Sequence, residues 1–146
     1  MLLLGLKNST SQTALTNDVI SLGTVYRKYC RKLNSIPTFS TTSNSATLQQ
    51  TGIYHVTATL IGSGTAAGVV TVQLNANGTP ITGALASETI TTANTELRTF
   101  VIDQYILVGS SCVLGIPSID TQTLTLTNTG VGATFTNVVL NIDKVL

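Results

Sequence analysis

The feature that most constrains this chain is a period of two in its apolar residues. From Ile53 to Ile61, Tyr54, Val56, Ala58 and Leu60 point one way, and Ile53, His55, Thr57 and Thr59 the other. Val70, Val72 and Leu74 alternate with Thr71, Gln73 and Asn75, and Leu124 and Leu126 with Thr123, Thr125 and Thr127. Successive side chains leave a strand on opposite faces, so the pattern predicts strands that are apolar on one side only. Thr supplies 27 of the 146 residues, many of them at the polar positions. A β-branched hydroxyl side chain suits a pleated surface that meets water. No sustained helical period is present.

Turn signals separate the strands: Gln50-Thr51-Gly52, Gly62-Ser63-Gly64, Asn75-Ala76-Asn77-Gly78, Val108-Gly109-Ser110 and Asn128-Thr129-Gly130. Asn-Gly and Gly-rich clusters reach positive φ at little cost. Pro80 and Pro117 fit strand edges or ends. Ala84 to Glu96 reads as a long polar loop or a loop with a short strand, and residues 7–21 as irregular. About ten short strands at this spacing predict an all-β sandwich or barrel. The length suits one domain, with residues 1–45 as an N-terminal strand and attachment arm of the same fold and 46–146 as its core. Met1 to Leu6 reads as a first strand that needs a partner.

Two segments are apolar on both faces. In Leu97 to Val108, Phe100, Ile102, Ile106 and Val108 lie on one face, and Val101, Tyr105 and Leu107 on the other. In Ala133 to Leu146, Val138, Leu140 and Ile142 are expected on one face, and Phe135, Val139 and Val145 on the other. A strand buried on both faces sits between two layers of protein. In a two-sheet sandwich the second layer must come from another molecule. Only 9% of the residues are charged, against about 25% in ordinary domains, and the mean hydropathy is +0.36. Both values point to a surface covered by partners rather than to the alternative, a Thr-rich β-protein kept soluble by its hydroxyls.

The chemical side chains are few: one His, six carboxylates and two Cys. None sits at a catalytic spacing, so no catalytic, cofactor-binding or metal-ligating residue is assigned and the chain is read as a non-enzyme. Cys30 and Cys112 lack the C-x-x-C spacing of a zinc site; they read as two buried free thiols, with a disulfide as the alternative in an extracellular setting. His55 is a hydrogen-bonded or solvated strand residue, or a pH switch if three copies meet at an axis. Asp103, in an apolar strand, needs a partner such as Arg98 or a basic residue of a neighbouring subunit. Arg27, Lys28, Arg31 and Lys32, interleaved with Tyr26 and Tyr29, hold four of the seven basic residues. In isolation the run suggests phosphate or single-strand contacts with the tyrosines as stacking platforms, but a net charge of +1 argues against nucleic acid. It suits docking on an acidic protein surface, or an edge that blocks unwanted strand pairing. No apolar run approaches the roughly 18–20 residues of a membrane helix, so no membrane partner is expected.

The segment Thr47-Leu48-Gln49-Gln50-Thr51-Gly52-Ile53-Tyr54-His55-Val56 resembles the Gly-aromatic-Tyr-x-Val lead-in to a central strand of the C1q/TNF-like jelly rolls. Val70 to Ile81, with Asn77-Gly78, resembles the hairpin that follows it. Phe100 to Gly109, continuing through Cys112 to Ile116, resembles the late strand pair, and Ala133 to Ile142 the final strand. The chain departs from the pattern at His55 and has no collagen-like Gly-X-Y repeat. The resemblance implies a jelly roll of about ten antiparallel strands that forms a threefold trimer with one sheet near the axis. Relatives of this kind occur in tailed-phage virions and on bacterial surfaces.

The combined expectation is a homotrimeric structural virion protein, exposed on a particle assembled in the host cytoplasm. It would decorate a phage capsid or form part of a head fibre. Its partners would be further copies of itself and other virion proteins, such as the major capsid protein or a fibre or tail protein. The alternative is a receptor- or glycan-binding tip whose loops 62–68, 84–96 and 128–132 carry recognition. Tyr54, Val101, Asp103, Tyr105, Leu107, Phe135 and Val139 are the candidate trimer contacts. Leu2, Leu3, Leu4, Arg27, Lys28, Arg31 and Lys32 are the candidate attachment residues. No cofactor is expected.

Overall fold

The alternating segments form two antiparallel sheets laid face to face in a computed structural model, which describes residues 2–33, 35–109 and 121–146. Fourteen strands, numbered in chain order, lie among the described residues. The first sheet runs β12 (Arg98–Val108), β9 (Gly52–Gly64), β14 (Ala133–Lys144), β1 (Leu2–Asn8) and β4 (Thr24–Tyr29), with β2 (Gln12–Ala14) paired to β14. The second runs β11 (Thr79–Ile90), β10 (Gly68–Ala76), β13 (Gln122–Asn128), β8 (Ala46–Leu48) and β7 (Phe39–Thr41), with β3 (Val19–Ile20) on β13. A small hairpin joins β5 (Lys32–Leu33) to β6 (Ile36–Pro37). This is the expected all-β jelly-roll sandwich.

The inward faces supply the core. Leu4, Leu6, Tyr54, Val56, Leu60, Phe100 and Leu140 of the first sheet are buried, as are Phe39, Leu48, Val72, Leu74, Leu124 and Leu126 of the second. The Phe100 and Phe135 rings meet edge to face at 5.9 Å, and those of Phe39 and Tyr54 at 6.0 Å, a favoured aromatic geometry. Asn77 and Gly78 both have positive φ, 52° and 77°, the conformation of a type I′ turn, and they close the β10–β11 hairpin as expected. Pro80 lies in β11, a sheet edge, where a missing N–H leaves no gap in the ladder.

Several expectations change. Ala84 to Glu96 is not one loop: β11 continues to Ile90, its polar composition reflecting a solvated edge strand that buries only Ala84 and Ile90. Residues 7–21 carry the end of β1 together with β2 and β3, tied by Gln12, whose side chain donates to the Ser21 carbonyl and accepts from its N–H. The stretch 1–45 enters both sheets: β1 lies between β14 and β4, and Leu4, Leu6, Ile20, Leu22 and Phe39 are core residues. The expected strand Cys112 to Ile116, Pro117 and the Cys112 thiol lie outside the described residues.

Candidate interaction face

With its inner face occupied by the core, the first sheet presents its other face outward. Strand register defines what lies there. One row crosses the sheet as Tyr105, His55, Asp143, Leu3 and Tyr29. The next runs Asp103, Thr57, Asn141, Gly5 and Arg27, and a third begins Val101, Thr59, Val139 and Lys7.

The β12 end of this face is apolar and acidic. Val101, Tyr105 and Leu107 are 55%, 62% and 48% exposed, while Phe100, Ile102, Ile106 and Val108 on the same strand are buried. Both faces are therefore apolar, as the sequence implied, and the outer one is uncovered. His55 stacks on Tyr105 with ring centroids 4.8 Å apart and donates from Nε2 to Oδ1 of Asp103 at 2.6 Å. Asp103 is exposed rather than buried, and its partner is His55. Arg98 instead bonds Glu96 at 3.0 Å.

The β4 end is aromatic and basic. Gly5 has no side chain, and the Tyr26 ring lies in the space a Cβ would fill, which would stand 2.7 Å from its edge. The Tyr26 hydroxyl donates to Asn141 Oδ1 at 2.5 Å, fixing the ring across β1. Lys7 Nζ and the Arg27 guanidinium each lie 5.7 Å from its centroid, within cation–π range. All six residues of β4 are exposed, and the strand is a free edge of the sheet among the described residues.

Two of the proposed trimer contacts are elsewhere. Tyr54 is fully buried and points into the sandwich, its hydroxyl donating to the Gln50 carbonyl at 2.6 Å. Burial pushes that phenol up to about 12. Phe135 is also fully buried. The register of β14 slips between Phe135 and Asn137, and one extra residue reverses the alternation. Phe135 thus shares the inner face with Val138, Leu140 and Ile142. Among the attachment residues, Leu4 is buried in the core, Leu2 packs against it and Leu3 is half-buried. Arg27, Lys28, Arg31 and Lys32 are exposed along and just beyond β4. Cys30 is an exposed thiol, not a buried one.

A second cluster forms at one end of the sandwich. Thr65 bonds the Gly132 carbonyl through both its N–H and its hydroxyl, and Asn94 donates its N–H to the Gly64 carbonyl. The β9–β10, β11–β12 and β13–β14 loops are thereby brought together. The carboxylate of Glu96 ties its loop, accepting from the Thr91 hydroxyl and the Thr91 and Thr92 N–H groups. Those bonds, with Arg98 adding to them, hold its carboxyl down at about 2.

Neither region is a catalytic constellation. The His55–Asp103 pair lies on an open sheet face, and no hydroxyl or thiol bonds His55 among the described residues. A depression of about 200 Å³ between Leu33, Ile36, Gln49, Gln50, Thr51 and Lys144 contains a single ionisable side chain, Lys144. No group of three metal-binding side chains occurs among the described residues.

No protein-family model matches the sequence, and no curated protein is similar to it. Solved structures are similar in shape. The globular domain of the zebrafish complement 1qA protein superposes with a TM-score of 0.64 at 6% identity, over 100% of this chain and 98% of that one. The Eiger TNF of S. frugiperda gives 0.63 at 8% identity, over 99% and 91%. The PRD1 vertex protein P5 gives 0.53 at 15% identity, over 99% and 97%. The fold is that of the C1q/TNF-like jelly rolls.

Proposed function

We propose that this chain is a non-enzymatic structural protein of a phage particle, acting as a homotrimer that decorates a capsid or forms part of a head fibre. One observation carries the reading: a sheet with a complete core on its inner side exposes Val101, Tyr105 and Leu107 along one strand of its outer side, with Asp103 among them. Contiguous exposed apolar side chains of this kind mark surfaces that other proteins cover. The likeness in fold to a phage vertex protein supports the particle setting. Lys28, Arg31 and Lys32, exposed around the β4 edge, suit attachment to an acidic surface of another virion protein.

Light scattering on the purified chain tests the trimer, which should have three times the mass of the 15.2 kDa chain. A monomer at all concentrations would remove it. Antibodies against the chain should decorate particles purified from the culture that produces it. Label confined to the soluble fraction would remove the virion role.

A second reading rests on the clustering of the three loops at the Thr65–Gly132 end. That convergence suits a receptor- or glycan-binding tip. Binding to a glycan array lost on substitution of Asn94 and Thr95, with the trimer intact, would favour it over decoration.

A further inference from the structure

At the end of the sandwich away from the three clustered loops, β9 begins at Gly52 and β14 ends at Lys144. The β5–β6 hairpin stands beside this end and is tied down at its base by Gln50. That buried side chain donates from its amide to the Arg31 and Ile36 carbonyls. Leu33 and Ile36 pair directly across the hairpin, so they share one of its faces. Both line the depression that also contains Lys144, yet they remain 58% and 49% exposed. The depression, about 200 Å³, is smaller than the roughly 300–1,000 Å³ of small-molecule pockets and suits one large side chain.

Charge around it is one-sided. Lys144 has no carboxylate within salt-bridge distance among the described residues, and its Nζ lies 5.9 Å from the centroid of the buried Tyr54 ring. Asp143, its neighbour in sequence, pairs with His55 and leaves β14 on the opposite face. No carboxylate occurs in the sequence between Asp18 and Glu88, a stretch that holds Arg27, Lys28, Arg31 and Lys32. Gln49, also in the wall, keeps a buried Oε1 with no hydrogen-bond partner among the described residues, a rare state for an acceptor.

We infer that this depression docks a short extended segment of another virion protein, one that carries an apolar side chain next to a carboxylate. The apolar side chain seats on Leu33 and Ile36, and the carboxylate pairs with Lys144. The Gln49 side chain, turned outward, accepts from a backbone N–H of the segment. The inference rests on the attachment reading and specifies what is recognised. Apolar contact supplies most of the affinity, and the ion pair selects the partner. Because Gln50 already fixes the hairpin, little freedom is lost when it is covered. The surrounding Arg31 and Lys32, both exposed, favour a segment that is acidic beyond the one paired carboxylate.

Selection from a random peptide library on the immobilised chain, followed by fluorescence anisotropy of the enriched peptide, tests the site. Enriched sequences should place Leu, Ile or Phe beside Asp or Glu. Lys144→Glu should weaken the peptide by about tenfold or more, Lys144→Gln by less, and Leu33→Ser with Ile36→Ser by about tenfold. Leu85→Ser, at an exposed position on β11, should leave binding unchanged. Circular dichroism reports the fold of each variant. Raising the salt concentration should bring the wild type closer to Lys144→Gln. A library that enriches no such sequence, or a peptide bound equally well by Lys144→Glu, overturns the site. Loss of self-association in Lys144→Glu, read by sedimentation velocity, would give the depression to a copy of this chain and also overturns it. Particle labelling is read separately. A chain absent from particles removes the virion reading and leaves the peptide site standing, whereas Lys144→Glu retained on particles at the wild-type level overturns the use of the site in attachment.

Discussion

His55 bonds Asp103 diagonally across the β9–β12 ladder, although the residue directly opposite it is Tyr105. Tyr105 takes the ring's face and Asp103 its edge, so one imidazole fixes two neighbours of the outward row. Diagonal neighbours on one face of a sheet are within reach of long side chains. The result is a pre-ordered patch, and in the proposed trimer its aromatic and acidic groups would lose less freedom on association than free side chains.

The apolar part of that patch should dominate association. Replacing Val101 and Tyr105 with Ser removes exposed apolar surface and touches no core residue. Interface aromatics are commonly hot spots, so the proposed trimer should dissociate at about a hundredfold higher concentration. Far-UV circular dichroism should be unchanged. A variant trimer as resistant to dilution as the wild type would show that the β12 row is not the contact.

The two parts of the face differ in how far they were legible. The outward Val101, Tyr105 and Leu107 follow from alternation alone, because β12 keeps its period for eleven residues. The His55–Asp103 bond spans 48 residues of chain and depends on a register that no local signal encodes. The seat of the Tyr26 ring depends on Gly5 lying beside β4, again a matter of pairing. Alternation puts Phe135 on the wrong face because Thr136 and Asn137 carry no mark of a bulge. The core of β9 and β13 was readable because each strand has one apolar and one polar face; on β10 the apolar face was equally legible, but the polar Gln73 and Asn75 opposite it are buried as well.

Tyr54 should make stability fall at alkaline pH. Its folded value is raised from 10.0 to about 12 by burial, so the neutral phenol is the form the fold favours. The associated stability is present below pH 10 and is lost as the pH rises through 12. Tyr54→Phe should lose about 1–2 kcal/mol at neutral pH, since the buried Gln50 carbonyl loses its donor. Between pH 10 and 12 the gap between variant and wild type in urea unfolding should narrow. Parallel curves would mean that Tyr54 does not titrate with unfolding.

Glu96 should act at the acid end. Its folded value is lowered from 4.5 to about 2, chiefly by the Thr91 hydroxyl, so the carboxylate is the favoured form. The stability it contributes is present above pH 4.5 and is lost as the pH falls towards 2. Glu96→Gln should flatten that part of the stability–pH curve, with the largest change in amide exchange at Thr91 and Thr92. Unchanged exchange there would show that the carboxylate does not hold the loop.

The bulge in β14 makes a prediction about two residues that simple alternation would place on the same face. Phe135 and Val139 are four positions apart, yet Phe135 is fully buried against Phe100 while Val139 lies on the outer face. Phe135→Ala should therefore open a cavity between the sheets and cost about 3–5 kcal/mol. Val139→Ala removes atoms from a half-exposed position, so it should cost no more than about 1 kcal/mol in the monomer, its main effect falling on association. Urea unfolding below the trimer dissociation range separates the two contributions. Equal losses for both variants would place both side chains in the core and contradict the register slip at Thr136. Loss of association from Phe135→Ala at unchanged monomer stability would put that ring on the outer face instead.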